Sequence, residues 1–360
     1  MKAVILVGGK GTRLRPLTCN TPKPILPVLN RPLLEHVVEY LARHGVKEIV
    51  LAVSYLPEMV REVMGDGSRF GVRLLYVTER EPLGTSGAVK NAQEFLNEPF
   101  FVFNGDILTR IDLTDMMRRH RQVKPKVTIS LVPVDNPTIY GVVETDERGM
   151  VTRFVEKPTW DKVTSNRINA GIYVVDPEVL AMIPPNAHSM FETFVFPKLL
   201  EMKEPVLSYP SRAYWMDVGT PEKYLRGNHD LLREKGNQIF KEGECVIDPQ
   251  AVLHPPVLMG AGCRIGKAEI TGPVVLGAGC EIADGARIQD CVLRENAYIG
   301  EGSFLKDCAI SCDCRIEEGC HLEDCVLGDG VVIERGVKEL GARIPPNSTV
   351  SATPRKPAKR

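Results

Sequence analysis

With 360 residues, 43% of them hydrophobic, the chain exceeds the size at which one core stops growing, and two domains are expected. Its 45 Lys and Arg almost match 46 Asp and Glu, a formal net charge of −1, so no global field draws it to nucleic acid or to an anionic membrane. No apolar run approaches a bilayer span, and Met1 leads into the strand-like Lys2-Ala3-Val4-Ile5-Leu6-Val7 without a signal-peptide pattern, so a cytoplasmic protein that holds phosphate ligands locally is expected.

Up to about residue 235, short apolar runs alternate with amphipathic segments, the pattern of a layered α/β domain. Strands are predicted over 2–7, 48–55, 73–79, 100–105 and 127–134. Between the first two, Asn30 is placed to cap a helix whose apolar face carries Leu34, Val37, Val38 and Leu41 and which ends at Gly45. Residues 140–155 read as a hairpin turning at Asp146-Glu147-Arg148-Gly149. Thr220-Pro221 opens a final helix through Tyr224, Leu225 and Leu232, expected to close a first domain of residues 1–235.

Beyond about residue 245 the period changes. Aliphatic residues recur every five or six positions, at Ile288, Leu293, Ile299, Leu305, Ile310, Ile316, Leu322, Leu327 and Ile333, giving a 17-residue turn of a triangular coil with one inward side chain per face. Glycines at corners such as Leu276-Gly277-Ala278-Gly279 permit the tight turns. This region resembles the hexapeptide-repeat, left-handed parallel β-helix and is expected to span 245–345, with a basic, flexible tail over 346–360. Nine of the ten cysteines lie here, and Cys291, Cys308 and Cys325 share the 17-residue interval, as do Cys263 and Cys280, so they read as reduced packing residues. A zinc site at Cys312-Asp313-Cys314 with His321 is the alternative, although C-x-C is not the usual zinc spacing.

Chemistry begins immediately after the first strand. Gly8-Gly9-Lys10-Gly11-Thr12-Arg13 offers backbone N–H groups to a phosphate chain or a base, but lacks the order of a P-loop and the third glycine of a dinucleotide fingerprint. Arg15 and Lys23, close behind in Leu14-Arg15-Pro16-Leu17-Thr18 and Thr21-Pro22-Lys23-Pro24, make anion binding a better explanation than a simple turn. Asp106 ends an apolar strand, where ligands meet the carboxyl edge of an open α/β sheet and a carboxylate has no packing role.

The run from Gly8 to Thr18 with Pro22-Lys23-Pro24 resembles the signature of the sugar-phosphate nucleotidyltransferases. Four later segments fall in that family's order: Leu83-Gly84-Thr85-Ser86-Gly87, Asn104-Gly105-Asp106, Phe154-Val155-Glu156-Lys157-Pro158 with Asn169-Ala170-Gly171, and Trp215-Met216-Asp217-Val218-Gly219-Thr220. The resemblance covers nearly the whole chain, since some branches of the family carry a β-helix tail. It implies a Rossmann-like, three-layer α/β domain with a mixed sheet, Mg²⁺ as cofactor, and an NTP and a hexose 1-phosphate as substrates. By the same resemblance Asp106 and Asp217 are the Mg²⁺ ligands, and Gly8, Gly9, Gly11, Thr12 and Gly84 hold the nucleotide. Arg13 clamps the triphosphate and Lys23 meets the α-phosphate, while Lys157 binds the sugar phosphate. Gly141 and Asn169 contact the sugar, and Glu156 accepts bonds from its hydroxyls. Such a reaction needs no covalent Ser, Cys or His, because the attacking phosphate oxygen is already an anion. His188, His229 and His254 are given no role.

The Val7-Gly8-Gly9 start looks more like enzymes using purine nucleotides, especially mannose-1-phosphate guanylyltransferases, than the Ala-Ala-Gly loop of thymidylyl- and uridylyltransferases. Gly105 departs from that branch, which often carries Ser there. GTP with mannose 1-phosphate is therefore expected first, and glucose 1-phosphate with dTTP, UTP or ATP second. A silent regulatory relative would have no need to keep Arg13, Lys23, Asp106, Lys157 and Asp217, and an acyltransferase in the coil lacks a marked histidine site around His254 or His321. The coil is expected to serve as a scaffold for oligomer contact or regulation in a homo-oligomer.

Overall fold

The structure, a computed structural model, describes residues 1–79 and 81–352. It forms two compact units that do not follow chain order: Met1–Gly9 with Leu34–Asp217, and Lys10–Leu33 with the chain from Val218 onward.

The first unit is built on a nine-stranded mixed sheet. Its central strand β1 (Lys2–Leu6) is followed by a short hairpin of the second unit, β2 (Pro27–Val28) and β3 (Arg31–Pro32), and then by helix α1 (Leu33–Arg43). After these come β4 (Glu48–Val53), α2 (Pro57–Met64), β5 (Arg73–Thr78), α3 (Gly84–Asn91), β6 (Phe100–Asn104), β7 (Ile107–Thr109) and α4 (Leu113–Val123). The unit is completed by β8 (Val127–Pro133), β9 (Gly141–Thr145), β10 (Val151–Glu156), β11 (Arg167–Val175), α5 (Phe196–Glu201), β12 (Val206–Pro210) and β13 (Trp215–Asp217). The sheet runs β10-β9-β11-β6-β1-β4-β5, with β8 and β12 beside β11. Strand β1 lies parallel to β4 and β6, so Ala3, Val4 and Ile5 are covered on both faces and read as a continuous apolar run. The five predicted strands all form, each ending one or two residues early.

Asn30 does not cap α1. Leu29 and Asn30 both have positive φ, 49° and 60°, and make the two-residue turn of the β2-β3 hairpin, so the helix starts only at Leu33. No glycine marks that turn, and the capping pattern of an Asn before an apolar run conceals it.

In the second unit, helix α6 (Pro221–Lys235) starts as expected, with Thr220 Oγ1 accepting from Lys223 N–H. The strands that follow stack into three all-parallel sheets of seven, seven and six strands. Ile288, Leu305 and Leu322 sit in register on successive turns, and each is buried. The coil starts at Ile239–Lys241 and reaches Thr349–Val350, wider at both ends than its period suggested. Residues 353–360 of the expected tail lie outside the described residues. Cys263, Cys280, Cys291, Cys308, Cys314, Cys320 and Cys325 are buried, inward residues of this core, and all are free thiols. Cys314 Sγ donates to Gly328 O and Cys312 Sγ to Glu295 Oε2, so the two thiols of the zinc alternative are engaged separately, and the described residues contain no cluster of three metal-ligating side chains.

Candidate active site

At the carboxyl edge of the first unit's sheet, β1 and β6 end side by side, with Leu6 opposite Asn104. The glycines that follow serve distinct ends. Ser54 Oγ donates to Gly8 O at 2.6 Å, and a Cβ on Gly8 would lie 2.7 Å from that hydroxyl, whereas nothing stands within 4 Å of a Cβ on Gly9. Gly105 N–H donates to Leu6 O at 3.0 Å, and a side chain there would meet Val7 Cγ1 at 2.7 Å and Leu6 O at 2.9 Å. That close approach holds the turn that presents Asp106.

Asp106 and Asp217 are brought together by a strand pair. Strand β13 runs antiparallel to β7 with Asp217 opposite Ile107, the residue after Asp106. Tyr140 Oη donates to Asp217 Oδ1 at 2.8 Å, and its ring meets Trp215 edge-on at 5.6 Å between centroids. Trp215 Nε1 donates in turn to Ala170 O at 2.9 Å. Two carboxylates on one edge are the kind of oxygen donor that a hard divalent cation takes together with phosphate oxygens and water.

A second cluster lies along β9, β10 and β11. A Cβ on Gly141 would stand 2.5 Å from the Phe154 ring and 2.9 Å from Glu156 Oε2, so only glycine lets β9 approach this carboxylate. Burial, and then the nearby Glu192 carboxylate, raise the Glu156 pKa. Lys157, exposed and held at φ 44°, keeps its Nζ 3.6 Å from Glu156 Oε1; a non-glycine residue in that region carries backbone strain of the kind found at ligand sites. Asn169 is oriented by two bonds: its Oδ1 accepts from Gly171 N–H at 2.9 Å and its Nδ2 donates to Tyr173 Oη at 2.7 Å. Tyr173 Oη donates to Glu192 Oε1 at 3.2 Å, and Thr85 Oγ1 donates to Glu192 Oε2 at 2.8 Å. This partly buried chain ties the Gly84 segment to the Asn169 strand.

Gly84, at φ 73°, opens α3 against the 188–189 backbone, where a Cβ would lie 2.5 Å from Ser189 O and 3.1 Å from His188 Nε2. Sequence reasoning missed Tyr140, Thr85, Tyr173, Glu192 and His188 as neighbours of the site. Thr85 and Glu192 are 107 residues apart, and no local period links them.

Gly11, Thr12, Arg13 and Lys23 lie in the second unit. Gly11, at φ 61°, begins a single 3₁₀ turn over Thr12–Leu14, and Thr18 Oγ1 closes the loop by donating to Gly11 O at 2.7 Å. A Cβ on Gly11 would meet Lys23 Cβ at 3.1 Å, so the glycine lets the two halves of the loop touch. Arg13 is exposed and Lys23 half-buried at the start of the 3₁₀ turn Lys23–Ile25.

This frame, a glycine loop after the first strand and paired carboxylates at the sheet's carboxyl edge, defines a phosphate-handling enzyme. Residues 2–234 match the family model described as nucleotidyl transferase, and residues 236–339 match the LbH domain of EIF2B subunit epsilon. The chain belongs to the nucleotidyl transferase family, with a left-handed β-helix behind it. A mannose-1-phosphate guanylyltransferase of Mycobacterium tuberculosis is 41% identical over 73% of this chain and 76% of its own length. The mannose-1-phosphate guanyltransferase of Pichia angusta is 40% identical over 73% of this chain and 74% of its own, and a protein named as the catalytic subunit beta of that enzyme in Drosophila pseudoobscura pseudoobscura is 39% identical over 73% and 72%. Among solved structures, HddC from Yersinia pseudotuberculosis complexed with GMP-PN matches with a TM-score of 0.56 and 29% identity over 64% of this chain and 99% of its own. A putative glucose-1-phosphate thymidylyltransferase from Bacillus anthracis matches with a TM-score of 0.58 and 26% identity over 63% and 94%.

Proposed function

We propose that this chain joins mannose 1-phosphate to GTP, forming GDP-mannose and releasing pyrophosphate. The observation that carries the reaction class is the β7-β13 pairing, which gathers Asp106 and Asp217 at the edge where the first strand delivers its glycine loop. The substrate pair rests on relatives from a bacterium, a yeast and an insect, all named for mannose-1-phosphate guanylyl transfer.

A phosphate oxygen of the sugar attacks the α-phosphorus in line, the bond to the β-phosphate oxygen breaks, and pyrophosphate leaves with that electron pair. Arg13 holds triphosphate oxygens with its planar fork, and Lys23 offsets charge on the α-phosphate. Lys157 holds the sugar phosphate beside Glu156, which takes bonds from sugar hydroxyls, while the doubly anchored Asn169 presents its remaining amide hydrogen. Asp106 and Asp217 would hold Mg²⁺, which when bound would supply positive charge against the phosphate oxygens. The enzyme acts in the cytoplasm as a homo-oligomer, with the coil as scaffold. No helix of the described residues is long and apolar enough to cross a membrane.

The test is GDP-mannose formation from GTP and mannose 1-phosphate with Mg²⁺. Turnover should stop with EDTA, return with added Mg²⁺, and be lost in a folded Asp106→Ala variant. Wild-type turnover by that variant would remove Asp106 from the mechanism.

A further inference from the structure

The loop that carries Arg13 and Lys23 is tied to its own unit at four points by residues that the proposed chemistry does not use. Asn228, fully buried, accepts from Leu29 N–H at 2.8 Å and donates to Tyr224 O at 2.9 Å. Tyr224 Oη donates to Pro27 O at 2.7 Å, and Asn30 Nδ2 donates to Leu276 O at 2.9 Å. These neutral bonds satisfy the Leu29 N–H and Pro27 carbonyl of the β2-β3 hairpin, the Tyr224 carbonyl of α6 and the Leu276 carbonyl of the coil.

The fourth tether is a buried charge. Arg294 stands at a corner of the coil and is only 8% exposed. Its Nη1 lies 3.6 Å from Asp329 Oδ1 and 3.4 Å from the hydroxyls of Thr21 and Ser311, and its Nε lies 3.6 Å from Glu295 Oε2. Asp329 Oδ2 accepts from Asn20 Nδ2 at 3.0 Å. Neither Arg294 Nε nor Asp329 Oδ1 finds a hydrogen bond of good geometry, so the pair does not maximise the stability of the coil. The equivalent positions on neighbouring turns are Gly277, Ser311 and Gly328, so the repeat itself does not call for a guanidinium here, and one withdrawn from water is costly. Both partners instead converge on Asn20 and Thr21. Pro22 follows directly with its fixed φ and opens the 3₁₀ turn that Lys23 begins.

We infer that Arg294 is a positioning residue for nucleotidyl transfer: with Asp329 it pins the Asn20-Thr21 corner and, through Pro22, fixes where Lys23 stands. This rests on the role of Lys23 proposed above. A catalytic cation displaced by about 1 Å costs on the order of a hundredfold in rate. The coil thereby takes part in catalysis through a contact far from its own ends.

The experiment uses the full-length chain and compares kcat and KM for GTP with melting temperature. The double variant Arg294→Met/Asp329→Leu removes both charges at similar volume, and should melt at or above the wild-type temperature. Its kcat should fall about ten- to a hundredfold, with a smaller rise in KM, because Lys23 acts on charge that develops during the reaction. Arg294→Lys keeps the charge without the fork and should recover part of the loss. A stable double variant with wild-type kcat overturns the inference. Should the double variant fail to fold, Asn20→Ala/Thr21→Val cuts the same tether from the loop side, and wild-type kcat there overturns it equally. Lys23→Ala separates the two levels: if it is inactive while the tether variants are normal, only the anchoring fails, and if it is fully active, the role of Lys23 fails.

Discussion

Tyr140→Phe isolates one hydrogen bond at the proposed metal site. The variant keeps the ring that meets Trp215 edge-on and removes the hydroxyl that donates to Asp217 Oδ1 at 2.8 Å. A bond to an ionised acceptor contributes about 1.5–3 kcal/mol. Tyr140 and Asp217 are both partly exposed, so the lower end applies, and about 1.5 kcal/mol corresponds to roughly tenfold in rate. Partners that orient a metal-binding carboxylate also set metal affinity, by about ten- to a hundredfold. Mg²⁺ titrations of GDP-mannose formation should therefore show kcat about tenfold lower and half-saturation at roughly tenfold more Mg²⁺, with the KM for mannose 1-phosphate changed by less than about twofold. The melting temperature should fall by no more than about 2 °C, since ring packing is kept. A normal Mg²⁺ titration with wild-type kcat would refute the reasoning that Tyr140 orients Asp217 for metal.

Glu156→Gln should uncouple stability from function. Burial and Glu192 raise the folded-state pKa of Glu156, so above the ordinary glutamate range the folded chain keeps a proton that the unfolded chain has released. Stability from this group therefore falls as pH rises through that window, and the glutamine variant should melt higher than wild type at pH 7 and equally at pH 4, by calorimetry, while its KM for mannose 1-phosphate rises about tenfold. Gly141→Ala should destabilise the fold by about 1–3 kcal/mol in urea titration and depress sugar-phosphate binding, because its Cβ would collide with Phe154 beside Glu156. Alkylation at pH 8 followed by mass spectrometry should modify Cys19 and Cys245 in the native chain and spare Cys314, whose thiol pKa burial pushes up to about 12.

The sequence made the coil legible because a 17-residue period is a direct image of stacked turns, and its cysteines fell where small inward residues belong. The strands of the first unit were legible for a similar reason, since parallel strands covered on both faces appear as unbroken apolar runs. Asn30 shows where local reading fails: the capping signal was present, yet a hairpin held by Asn228 and Tyr224 took the residue instead. Gly141 and Glu156 were found by motif, but that they stand opposite each other, an approach only glycine at 141 permits, needs the β9-β10 register. Glu192 was invisible because its partners Thr85 and Tyr173 come from distant stretches joined only by the fold. Grouping of the Arg13 and Lys23 loop with the coil is likewise a product of long-range contacts, and Arg294 alone in the sequence gives no sign of it.

The central claim is the substrate pair, and pyrophosphate release with Mg²⁺ across GTP, ATP, UTP and dTTP, each against mannose 1-phosphate and glucose 1-phosphate, tests it most directly. Release that is strong with GTP and mannose 1-phosphate and at least about tenfold weaker in kcat/KM for every other pair is the predicted result. Preference for a different pair would contradict the assigned substrates while keeping nucleotidyl transfer, and silence across the matrix would contradict the reaction itself.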